Sequence, residues 1–92
     1  MNESNDPIQE LAGRAVVIDA ASRYVYIGTL TGHDDRYLVL TDADVHDLRD
    51  TATTRDLYVV EARRHGTRSN RRRVLVRREE VVSISALDDV VE

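Results

Sequence analysis

The sequence predicts a mainly β protein: a short N-terminal helix, then five antiparallel strands bent strongly at a glycine, with a helical insert between the third and fourth. Three observations predict it. β-branched residues crowd into short runs separated by polar turns, a helix-start signature precedes the first run, and residues 48–70 interrupt the strand pattern before it resumes. Ninety-two residues fit one domain spanning 1–92, whose margin of stability is thin enough that self-association would help it.

Residues 1–5 form a polar stretch expected to be a flexible tail. In Asp6-Pro7-Ile8-Gln9-Glu10-Leu11-Ala12-Gly13, Asp suits an N-cap, Pro the first helical position and Gly the residue past the end. A helix of about two turns is predicted there, with Ile8, Leu11 and Ala12 facing the body. Ala15–Asp19 and Tyr24–Thr31 read as a hairpin around Ala20-Ala21-Ser22-Arg23. Gly28 inside the second strand permits a sharp bend or a close backbone approach. Tyr37–Val45 is the third strand, after the polar turn Gly32–Arg36.

Thr53 or Thr54 can cap a helix over Arg55–His65 that ends at Gly66, with Asp56 and then Arg63, Arg64 and His65 placed to suit the helix dipole. Val59 and Val60 leave a strand as the alternative for these residues. Arg73–Arg77 and Val81–Ser85 form a second hairpin through Arg78-Glu79-Glu80. Residues 87–92 are acidic and expected to be a second flexible tail.

All thirteen basic residues are Arg, and eight of them lie between Arg63 and Arg78 with no Asp or Glu among them. That segment carries +8 within a chain of net charge −4, so an acidic protein bears one basic stripe. Cysteine is absent, which excludes disulfides and thiolate metal sites. The opening residues do not read as a signal peptide, and no apolar run approaches the roughly 20 residues that span a bilayer. A cytoplasmic protein without membrane contact is expected.

Two blocks carry a resemblance to a known family. Ile27-Gly28-Thr29-Leu30, then Gly32-His33-Asp34 and Leu38-Val39-Leu40, resembles the first motif of the Sm and Sm-like (LSm) proteins. Val74-Leu75-Val76-Arg77 followed by Val81-Val82-Ser83-Ile84-Ser85 is similar to their second. The resemblance spans about residues 7–86 with the insert set aside. It implies a small Sm-like barrel that assembles into rings, the fourth strand of one subunit pairing with the fifth of the next, and that usually binds RNA. Asp34 and Arg77 match pocket residues of RNA-binding members. Tyr37 stands where the family has Asn, Arg78 where it has Gly, and Glu80 where Asn is frequent. The residues so implied for RNA are Asp34, Arg36, Tyr37, Arg77 and Arg78, and those for the subunit contact are Val74, Val76, Val82 and Ile84.

The stripe Arg63, Arg64, Arg68, Arg71, Arg72 and Arg73 has two readings: phosphate contacts, or balance for acidic segments of the same or a neighbouring subunit. Only Tyr37 is placed for base stacking, and packing within the domain accounts for it equally well. Asp42, Asp44 and His46 alternate beside Asp47 and could hold a divalent cation, yet any solvated strand face alternates in this way, and no metal or cofactor is assigned. His33, Asp34 and Asp35 could form a base with orienting carboxylates, or simply a polar turn. Phosphate loops, nucleophile elbows and helical His pairs are absent, so no enzyme is expected. The leading expectation is a homo-oligomeric Sm-like ring, RNA-associated with weak base preference. The alternative is a protein-interaction scaffold of the same shape, binding another protein through the 48–70 insert.

Overall fold

A computed structural model describes residues 6–50 and 54–92; the expected tail at 1–5 and the alternative cap Thr53 lie outside the described residues. Five strands follow in the order β1 (Ala15–Ala20), β2 (Tyr24–His33), β3 (Tyr37–Asp47), β4 (Arg71–Arg77) and β5 (Val81–Ala86), and the helix α1 (Arg55–His65) lies between β3 and β4. They form one sheet in the order β4-β3-β2-β1-β5 in which each neighbouring pair is antiparallel. β4 and β5 are therefore its two edges.

Both faces of the sheet are apolar. On β1, Val16 and Ile18 join Leu30, Leu38, Leu40, Ala43 and Val76 in one cluster, while Val17 between them joins Val25, Ile27, Val59 and Ala62 in another. Alternation along an extended chain sends neighbours to opposite faces, so β1 is sandwiched. Each fully buried Val, Leu or Ile contributes about 1.5–3 kcal/mol. Ile8 and Leu11 from the N-terminal segment cover the first cluster, and α1 covers the second.

The bend has a local cause. Ile27 pairs with Asp44 and Thr29 with Thr41, so β3 holds one extra residue opposite Gly28. Asp42 takes up that bulge in the left-handed region at φ 50°. A β-carbon on Gly28 would lie 3.0 Å from the Ala43 Cα, so the close approach needs glycine.

The N-terminal helix differs from expectation. It is a 3₁₀ helix of five residues, Pro7–Leu11, capped by the Asp6 carboxylate, which accepts the Ile8 N–H. Ala12 is exposed, since the chain is already extended there and the Gly13 N–H donates to the Leu30 carbonyl at 2.7 Å, drawing the backbone into line with β2.

Thr54 caps α1 by accepting the Leu57 N–H, and Gly66 ends it at φ 80°. Val59 and Ala62 are its buried pair, whereas Leu57 is 53 % exposed on its outer side. Asn70 closes the insert: its side chain donates to the Val45 carbonyl and accepts the Val45 N–H, both at 3.0 Å, extending the β3–β4 ladder with an amide side chain. Residues 87–92 return to the body of the sheet. Leu87 and Val90 pack on the second cluster, and Glu92 pairs with Arg64. Among the described residues no helix is long and apolar enough to cross a membrane.

Candidate nucleic-acid interface

Two turns meet at one end of the sheet. In the β2–β3 turn the Asp34 carboxylate accepts the Arg36 N–H at 2.8 Å and the Tyr37 N–H at 2.7 Å. These two bonds hold its carboxyl below the usual carboxylate range. The β4–β5 turn is a 3₁₀ turn, Arg78–Glu80, and its Arg78 N–H donates to the Arg36 carbonyl at 2.8 Å. Tyr37 lies opposite Arg77 in the ladder. Together the turns enclose an open cleft of about 380 Å³ lined by Asp35, Arg36, Tyr37, Arg77, Arg78 and Glu79.

Four of the five RNA residues expected from the sequence line this cleft, and the fifth, Asp34, shapes its wall. Two details differ. The glutamate in the cleft is Glu79, which pairs with Arg77, and not Glu80, whose backbone carbonyl instead accepts the Ala21 N–H at 2.7 Å. Arg78 turns its guanidinium toward the N-terminal segment, 3.2 Å from Asp6 and 3.1 Å from His33 Nδ1. Since Nδ1 accepts from Arg78, the His33 proton sits on Nε2 and donates to Gln9 Oε1 at 3.0 Å. His33 therefore faces Arg78 and Gln9 rather than an orienting carboxylate of its own turn.

The arginine stripe is not one surface. Arg63 donates to the Asp88 carbonyl and Arg64 pairs with Glu92 and Glu61, so the helical part clamps the C-terminal segment. Arg68 is exposed in the loop after α1, and Arg71, Arg72 and Arg73 are exposed at the start of the edge strand β4, away from Arg77 at its other end.

The expected contact residues also divide. Val82 is 71 % exposed, but Val76 is only 3 % exposed and its side chain belongs to this chain's own core, with Val74 and Ile84 half-buried against the same cluster. Leu75, 47 % exposed, is the apolar side chain that β4 presents outward. Alternation with Val74 and Val76 was the signal that could have found it.

The acidic end of β3 is internally committed. Tyr58 donates its phenol to Asp44, Asn70 donates to the same carboxylate at 3.4 Å, and His46 stacks on Tyr58 at 4.1 Å. Burial and the Asp44 bond push the Tyr58 phenol above its ordinary value. Asp47 is held by Arg49 and Arg23, and the Arg49 bonds lower its carboxyl to about 2. Asp42 occupies the bulge. Among the described residues no three His, Asp or Glu side chains converge on a common point.

No family model and no curated protein matches the chain. Solved structures do. An Sm protein of Pyrococcus abyssii in complex with a uridine heptamer aligns with a TM-score of 0.59 at 18 % identity, covering 92 % of this chain and 99 % of that one. An Sm-like protein of Archaeoglobus fulgidus aligns with a TM-score of 0.59 at 20 % identity, covering 94 % and 96 %. The chain has the Sm-like fold.

Proposed function

We propose that this chain of Sm-like fold assembles into a homo-oligomeric ring and binds single-stranded RNA, with weak base preference, in the cleft between its β2–β3 and β4–β5 turns. The observation that carries the reading is the bond from the Arg78 N–H to the Arg36 carbonyl, which fixes the two turns as one wall with Tyr37 beside Arg77. Tyr37 offers a face on which any base can stack, and Arg36 and Arg77 offer guanidinium groups to phosphates. Asp35 and Glu79 in the same cleft oppose phosphates and keep the affinity low. The uridine heptamer held by the Pyrococcus abyssii protein of the same fold supports RNA as the ligand. Assembly is supported by the two open edges, since unpaired backbone groups on β4 and β5 are satisfied when one copy's edge meets another's.

A second reading, a protein-interaction scaffold working through the insert, is favoured by Leu57, which α1 presents outward. Filter binding of homopolymeric RNAs at two salt concentrations separates the two. RNA binding predicts retention that weakens with salt by about 0.7 in log–log slope for each phosphate contacted. No salt-sensitive retention would leave the scaffold.

A further inference from the structure

The Arg78 guanidinium points away from the cleft that Arg78 lines, and two acceptors from distant parts of the chain share its Nη2 group. Asp6 Oδ2 lies 3.2 Å from it and His33 Nδ1 3.1 Å, and the two acceptors stand 4.0 Å from each other. His33 accepts only while Nδ1 carries no proton, its Nε2–H being spent on Gln9 Oε1. The imidazole is 19 % exposed, so a proton from solvent reaches it without unfolding.

We infer that His33 is the positioning residue for Arg78: unprotonated at Nδ1, it holds the guanidinium against the N-terminal segment, and on gaining a proton it releases the guanidinium into the cleft, which then binds RNA more tightly. The inference rests on the RNA reading proposed above and adds control of one of its cations by pH. The first step is the loss of an acceptor. A proton on Nδ1 points at Arg78 Nη2, so two donors and two positive charges face each other across 3.1 Å. The second step is competition for one carboxylate. Asp6 Oδ1 is committed to the Ile8 N–H, and Oδ2 is within reach of the imidazolium. Arg78, the longer and more flexible of the two side chains, is the one that leaves. Its backbone stays at the cleft wall because its N–H donates to the Arg36 carbonyl. Release also removes a cost, since Arg78 Nε is buried without a partner in the held position. Of the other groups around the imidazole, Gln9 is neutral and Leu38, opposite His33 in the ladder, is apolar. The Asp34 carboxylate of the same turn is taken by the Arg36 and Tyr37 N–H groups.

The test is anisotropy of a short labelled oligouridine, whose bases take up no proton in the range used, measured against salt at about pH 8 and about pH 5.5, where histidine changes charge. The wild type is expected to bind several-fold tighter at the lower pH, with a log–log salt slope steeper by up to about 0.7, the share of one added phosphate contact. His33→Gln keeps an acceptor for Arg78 but has no charge to gain, so it should stay at the alkaline level at both pH values. Arg78→Ala should bind with a slope that pH leaves alone. In the unbound protein, nitrogen NMR should show the Arg78 Nε–H signal moving with the same midpoint as the His33 ring, and circular dichroism checks the folding of each variant. A wild type with equal affinity and slope at both pH values, a response that persists undiminished in folded His33→Gln or Arg78→Ala, or an Arg78 signal indifferent to the His33 titration overturns this role and leaves the RNA reading standing. No salt-sensitive binding at either pH overturns the RNA reading, and the two NMR midpoints then decide whether His33 positions Arg78.

Discussion

Arg78 and Asp6, 72 positions apart in the chain, meet at 3.2 Å. The contact ties the N-terminal 3₁₀ helix to the β4–β5 turn and diverts one guanidinium from the cleft it lines. The Arg78 Nε is buried with no partner, so this side chain is held at a cost. Asp6→Asn keeps a capping oxygen while removing the charge that holds Arg78. RNA affinity of this variant is expected to rise a few-fold, with a salt slope steeper by up to about 0.7. An unchanged slope would mean that Arg78 does not reach the ligand even when released.

Glu79 neutralises Arg77 inside the cleft. Glu79→Gln should therefore tighten RNA binding and steepen its salt dependence, whereas Arg77→Ala should weaken binding across all homopolymers and flatten the slope by about 0.7. Fluorescence anisotropy with short labelled RNAs at several salt concentrations measures both.

The bulge opposite Gly28 makes a stability prediction. Gly28→Ala places a methyl group against the Ala43 backbone, and it should cost about 1–3 kcal/mol in urea unfolding. Asp42→Gly should be tolerated because Asp42 sits at positive φ. Asp42→Val should cost about 1–2 kcal/mol, since a β-branched residue is poorly accommodated there. A neutral Gly28→Ala would refute the close approach.

Acid sensitivity follows from two carboxylates with lowered values. Asp34 accepts two backbone N–H groups in its charged form, and Asp47 is paired with Arg49. A carboxylate more acidic when folded than when unfolded stabilises the fold above its unfolded value, and that stabilisation is lost as pH falls through the folded one. The β2–β3 turn should thus loosen below the ordinary carboxylate range, while the Asp47 contact survives until about pH 2. Carboxyl-carbon NMR titrations of the two residues check this, and Asp34→Ala should remove the first transition from the Arg36 and Tyr37 amides.

What the sequence displayed of this architecture was local. Asp6, Thr54 and Gly66 mark their helix ends through chemistry confined to a few neighbours, and the β-branched runs announce the strands. What it concealed depends on partners far along the chain. The direction of the Arg78 guanidinium is set by Asp6 and His33. The choice of Val59 and Ala62 over Leu57 as the buried side of α1 is set by the sheet face beneath them. Arg63 and Arg64 looked like one stripe with Arg71–Arg73 because spacing does not reveal that a loop sends them to different places. The Asp44–Tyr58 bond, joining β3 to the insert, left no local trace at all.

A strand covered on both sides bears no mark of its own orientation. Ala15-Val16-Val17-Ile18 would bury nearly as much apolar surface if it slid by one position against β2, exchanging the neighbours of Val16 and Val17. Oil and water therefore cannot police this pairing. Polar and steric keys must do so: the Asp19 carboxylate that reaches Arg55 and Ser83, and the Val16 position facing a residue without a side chain. Erasing those keys should yield a protein that still collapses but loses its sense of phase.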